Sequence, residues 1–133
     1  MAGWKSVEEI IAYQLSVQLR DRITALARDT RIARDFTFRD QIVGAAASAP
    51  SNISEGFERY KHGEFGFFVG IAKASLGELK THLIDARTRG YLDPDEVESL
   101  LALTSKAKAT TNGLLRHLKT SKAPTPWQDS SDD

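Results

Sequence analysis

Between residues 42 and 60, Ile42, Ala45, Ala46, Ala49, Ile53, Gly56 and Tyr60 keep helical spacing straight across Pro50. No other feature constrains the fold as tightly. Proline removes the amide that would reach the carbonyl of Ala46, and its ring presses on that carbonyl, at a cost of about 3 kcal/mol in a regular helix. A helix that keeps its phase through such a residue must be held by packing along its length. Two arrangements fit. We favour one helix over about residues 38 to 61, bent at Pro50; the other is a helix ending near Ala49 and a second beginning at Asn52, whose spacing to Glu55 is that of a capping box. Ser48, Ser51 and Asn52 surround the proline with short polar groups suited to backbone atoms that it frees.

Three further segments carry the same period. Over about residues 6 to 30, Ala12, Leu15, Leu19, Ile23 and Leu26 recur at spacings of three and four, with Ser6 placed to cap and Glu8 and Glu9 in the first turn. Ile10, Tyr13 and Val17 lie on the other side of that helix, which fits either a broad stripe covered by neighbours or a subunit contact. Thr37, with Asp40 three residues on, reads as the cap of the second helix. After His62 and Gly63, a helix over about 63 to 89 carries Phe65, Phe68, Ala72, Leu76, Leu79 and Leu83. Gly66, Gly70 and Gly77 weaken it by about 1 kcal/mol each relative to alanine, a cost that close approach of a neighbouring backbone would offset. Gly90 reads as a stop, and Asp93-Pro94-Asp95-Glu96 as a helix start with proline at the first helical position. The fourth helix runs over about 94 to 120, on Val97, Leu100, Leu101, Leu103, Ala107, Leu114, Leu115 and Leu118. Residues 121 to 133, with two prolines, acids and the isolated Trp127, read as a flexible tail. No strand pattern competes, so the expectation is an all-α, antiparallel up-down four-helix bundle with a proline-kinked second helix, one domain over 1 to 120.

Composition narrows the function. Eighteen basic and eighteen acidic side chains cancel, so attraction of a charged partner must come from local patches. The absence of cysteine excludes disulfides and thiolate chemistry and suits a reducing cytoplasm. No apolar run approaches the length of a membrane span. No nucleophile motif or phosphate loop stands out, and the Glu-x-x-His pairs of di-metal bundles are missing: Glu78 and His82 are one turn apart on a single helix. No cofactor or metal is expected.

Glu55 and Glu78 lie close to the small or apolar faces of their helices, where a carboxylate needs partners. A polar network with Ser48, Asn52, Arg59 or Ser75 that fixes helix register is the reading we favour over catalysis by paired carboxylates. Basic residues offer the stronger functional hint. Lys106, Lys108, Arg116, Lys119 and Lys122 fall in a stretch without an acid, and all but Lys106 share about a third of the helix circumference if the helix reaches Lys122. Arg20, Arg28 and Arg31 form a second patch on the first helix, diluted by Asp21 and Asp29.

The segments DQIVGAAASAPSNISEGFER, EFGFFVGIAKASLGELKTHL and RGYL resemble the four-helix-bundle family first noted in intervening sequences of bacterial large-subunit ribosomal RNA genes. That family is similar to the accessory proteins of diversity-generating retroelements. The resemblance covers roughly residues 10 to 118 and centres on Ala49, Pro50, Ser51, Asn52, Ile53, Glu55 and Gly56, with Ser75, Leu76, Glu78 and Leu79. It implies a kinked second helix, a ring-like homopentamer, no enzymatic activity and, for the retroelement members, binding to nucleic acid and to a reverse transcriptase. A bend at Pro50 would then turn Asn52, Glu55 and Arg59 toward a neighbouring subunit. The functional expectation is a non-enzymatic oligomeric binding or scaffolding protein, with a protein-only adaptor as the alternative.

Overall fold

The computed structural model describes residues 3–28, 30–60 and 63–120, so the tail with Lys122 and Trp127, and also Asp29 and His62, lie outside the described residues. Within them the chain is helical, with no strand. A 3-10 turn at Val7–Glu9 leads into α1 (Ile11–Leu26), followed by the short α2 (Thr30–Arg34), α3 (Phe36–Glu58), α4 (Phe65–Thr88) and α5 (Pro94–Thr120). Each long helix packs on its sequence neighbour, and α1 closes back onto α5.

Three boundaries differ from the sequence reading. The first helix does not run to residue 30: α1 ends at Leu26, and a separate five-residue helix follows, anchored by Ile32, which is 1% exposed. Ser6 makes no capping bond with its side chain; it precedes the 3-10 turn, and α1 itself starts only after Ile10. The cap of α3 is Asp35 rather than Thr37. Its carboxylate accepts the Phe38 amide at 3.2 Å, the Tyr91 hydroxyl at 2.7 Å and the Arg89 guanidinium at 3.0 Å. The last two come from residues more than fifty positions away, so one side chain both starts α3 and ties it to the α4–α5 connection.

These donors hold the Asp35 carboxyl below its ordinary pKa, the Tyr91 hydroxyl contributing most, then the Phe38 amide, with Arg89 adding less. A carboxyl depressed in the native state stabilises it fully above the unfolded value of about 3.9, and that stabilisation is lost as pH falls through the lower native value. Asp35→Asn should therefore lower stability at neutral pH and flatten its decline below about pH 4. Unfolding curves of the two proteins that stay parallel across that range would discount the linkage.

Helix α3 runs unbroken through Pro50, which settles the choice between one helix and two in favour of one. At its far end Gly56 packs tightly against the start of α4. A Cβ there would lie 2.9 Å from Phe65 Cδ1, 2.9 Å from Phe68 Cβ and 3.1 Å from the Phe65 carbonyl oxygen. By contrast, a Cβ at Gly66 or Gly70 would meet nothing within 4 Å, so those glycines do not admit a neighbouring backbone of the protomer. Gly90, with φ of 71°, supplies the left-handed residue just beyond α4.

The core divides into two apolar clusters. One gathers Leu15, Leu19, Ile23, Ile42, Leu76, Leu79, Leu83, Val97 and Leu100; the other gathers Ile10, Ile53, Phe57, Phe65, Val69, Leu114 and Leu115. Ile10 therefore belongs to the protomer's own interior, with Tyr13 packed beside it. On α3 the change of cluster falls between Ala49 and Ile53, on α4 between Ala72 and Leu76, and on α5 between Ala107 and Leu114.

Candidate functional site

Hydroxyl and amide side chains collect where the clusters meet. Ser48 Oγ lies 2.7 Å from Ser75 Oγ, joining α3 to α4. Asn52 Nδ2 donates to the Ser48 carbonyl at 2.9 Å and to its hydroxyl at 3.0 Å, while Ser75 donates to the Ile71 carbonyl at 3.0 Å. Ser16 on α1 and Thr111 on α5, both fully buried, bring hydroxyls without a hydrogen-bond partner into the interior. Asn52 thus reaches the carbonyl of Ser48, two residues before the proline, and not that of Ala46, which Pro50 deprives of its amide. Ser51 points outward and takes no part.

The carboxylates do not join this network. Glu55 is 48% exposed and accepts Arg59 Nε at 2.6 Å, and Arg59 also donates to Glu64 at 3.1 Å. The two carboxylates hold the Arg59 guanidinium above its ordinary pKa, Glu55 foremost. The expectation of a buried Glu78 fails as well: it is 61% exposed, its carboxylate 3.6 Å from Nε2 of His82. Both glutamates fall at the edge of their apolar stripes, where a few tens of degrees of helix rotation decide between core and solvent. Among the described residues no group of three or more histidine, aspartate or glutamate side chains is arranged to hold a metal ion, and no helix is long and apolar enough to cross a membrane.

The second basic patch does not form on one helix. Arg20 is paired with Asp21 at 3.0 Å, Arg28 lies in the turn after α1, and Arg31 sits on α2, where it donates to the Gly90 carbonyl oxygen.

The α5 residues hold together better. Lys108, Arg116 and Lys119 occupy one face of α5 as expected, Lys106 lies on another, and Arg116 and Lys119 are exposed. Two lysines that the sequence reading passed over join them from α4. Lys73, Lys80 and Lys108 line one cavity of about 300 Å³ between α4 and α5, together with Thr104, Ser105, Ala109 and Asn112. Lys73 Nζ donates to Asn112 Oδ1 at 2.8 Å, and Lys108 Nζ lies 3.5 Å from where a Cβ on Gly77 would stand. A usable signal was present: Lys73 and Lys80, seven residues apart, fall on the same side of a helix as Gly77.

Charge pairing separates the two cation types. Arg20, Arg22, Arg39, Arg59, Arg87 and Arg89 each contact a carboxylate within 4.0 Å. No described lysine does so. Three lysines without a carboxylate partner, Lys73, Lys80 and Lys108, therefore meet at one cavity between α4 and α5 in a chain whose net charge is zero.

An all-helical chain with this Pro50-centred polar junction matches the family model described as 23S rRNA-intervening sequence protein, over residues 8–113. The chain belongs to that family. The match takes in α1 to α4, the junction and the lysine-lined cavity, and stops within α5 just short of Arg116 and Lys119. No curated protein sequence matches this member of the 23S rRNA-intervening sequence protein family.

Proposed function

We propose that this protein is a non-enzymatic, oligomeric binding or scaffolding subunit that uses its α4–α5 face to engage nucleic acid or a nucleic-acid enzyme such as a reverse transcriptase. The observation that carries the reading is the gathering of lysines without carboxylate partners on that face, in a chain whose arginines are largely paired. Electrostatic affinity for a polyanion grows with the number of phosphates neutralised, so a repeated modest patch sums to a large effect. Assembly into a homo-oligomer, a ring of five by family resemblance, would supply that repetition. Phe36 at 65%, Phe67 at 68% and Ile11 at 55% exposure give the protomer apolar surface to bury in such an assembly. An antiparallel up-down arrangement, with a bend at Pro50 that presents Glu55 and Arg59 outward, and a cytoplasmic setting complete the proposal.

The test is binding of nuclease-treated protein to structured RNA and duplex DNA across a salt series, with particle mass measured on the same sample. Affinity should fall steeply with salt, and the triple reversal Lys108→Glu, Arg116→Glu, Lys119→Glu should weaken binding by about 100-fold or more at low salt. The melting temperature should barely change. Unaltered affinity in the triple variant would remove this face from the interface, and an intact oligomer that binds no nucleic acid at any salt would leave a protein-only adaptor.

A further inference from the structure

The α4–α5 cavity has the construction of a discrete anion site rather than a stretch of generally basic surface. Lys73 and Lys80 stand two turns apart on α4, about 10 Å along the axis. Lys108 reaches across from α5 and lays its ammonium beside Gly77, between them in sequence, 3.5 Å from where a Cβ would stand. Asn112 fixes one wall by accepting from Lys73 through Oδ1, which leaves its amide hydrogens to donate, and Ser105 adds a hydroxyl. Each ammonium carries three donors, and Lys73 commits one of its own to Asn112. None of the three lysines forms an ion pair; Glu98, on the same side of α5, is bound to Arg87 at 3.0 Å. Three like charges around one cavity of about 300 Å³ repel one another, and that repulsion is relieved when an anion enters.

We propose that this cleft is a phosphate-binding subsite in which Lys73, Lys80 and Lys108 hold the phosphodiester oxygens of a single-stranded polynucleotide. The inference rests on the nucleic-acid reading for the polymer, whereas the phosphate chemistry rests on the cleft alone. Compact ammonium groups suit a phosphate, whose oxygens accept from several directions at once. A shallow cavity without an aromatic platform takes backbone rather than bases. The lining contains no aromatic side chain, so recognition here is independent of base sequence.

Two ligands separate the possibilities: inorganic tripolyphosphate, titrated calorimetrically, and a single-stranded RNA oligomer, titrated over a salt series. The wild type should bind both, and Lys73→Gln with Lys80→Gln should weaken tripolyphosphate at least tenfold and reduce the RNA salt slope by about 1.4, two phosphates at about 0.7 each. Lys5→Gln, at the opposite end of the sequence from these helices, should leave both titrations as they were. Tripolyphosphate binding that depends on the two lysines, without RNA binding, would uphold the phosphate site and make free polyphosphate its ligand while removing the nucleic-acid reading. RNA binding with an unchanged slope in the double variant would overturn the subsite and leave that reading standing. Failure of the wild type to bind tripolyphosphate at low salt, or equal binding of polyglutamate, would also overturn it.

Discussion

Phe65→Ala is expected to cost about 3–5 kcal/mol of stability, the range for removing a buried aromatic ring from a packed core. Phe65 is 2% exposed at the first residue of α4, and three rings from the N-terminal segment and the end of α3 meet it. The Tyr60 ring centroid lies 4.9 Å away, that of Phe57 6.1 Å and that of Trp4 6.2 Å, all in edge-on or tilted contact. The side chain therefore joins the N-terminal segment, the end of α3 and the start of α4. Trp4 extends the cluster to α5 through His117, at 6.1 Å between rings. Equilibrium unfolding in denaturant measures the loss directly; a change under about 1 kcal/mol would mean that the neighbouring rings collapse into the space.

Gly56→Ala acts at the same contact from the opposite side. In an open helix the exchange gains about 1 kcal/mol, since alanine is the better helix former. Here the new methyl would stand 2.9 Å from both Phe65 Cδ1 and Phe68 Cβ, and 3.1 Å from a backbone oxygen. Only the first is the end of a side chain, so α3 and α4 must move apart, and overpacking of this kind costs about 1–3 kcal/mol. The net expectation is destabilisation, in contrast to Gly44→Ala on the same helix, where nothing lies within 4 Å of the added atom. The two substitutions should shift the denaturation midpoint in opposite directions. Because one of the three close contacts belongs to the Phe65 ring, Gly56→Ala combined with Phe65→Ala should cost less than the sum of the two. Strict additivity would place the clash entirely on the backbone and Phe68.

The long helices were legible because their apolar residues keep period, and Pro94 and Gly90 mark a start and a stop by local chemistry alone. What escaped depends on distant partners. Thr37 was read as the cap, whereas Asp35 takes that place, accepting the Phe38 amide while Tyr91 and Arg89, brought up by the fold, hold its carboxylate. A five-residue helix such as α2 is too short to show a period, and it persists through the burial of Ile32. Ser48 and Asn52 were singled out from their place beside Pro50 and Ser75 as a partner in a polar network, whereas Glu55 and Glu78 were given too much burial, since spacing does not fix helix rotation. Lys73 and Lys80 were overlooked because α4 was read for its apolar stripe; what gathers them around one cavity is Lys108, which arrives from another helix.

The separate employment of arginine and lysine bears on how such a surface changes over evolutionary time. Ion pairs of arginine bind one helix to another at Arg22 with Glu96 and at Arg87 with Glu98, so losing either partner is felt by the scaffold. Lysines on the α4–α5 face hold no carboxylate partner, although Lys73 still bridges α4 to α5 through Asn112 at 2.8 Å. Substitutions at Lys80 and Lys108 can therefore alter the charge of this face without breaking an ion pair between helices, so its ligand preference is free to change while the arginine pairs stay in place.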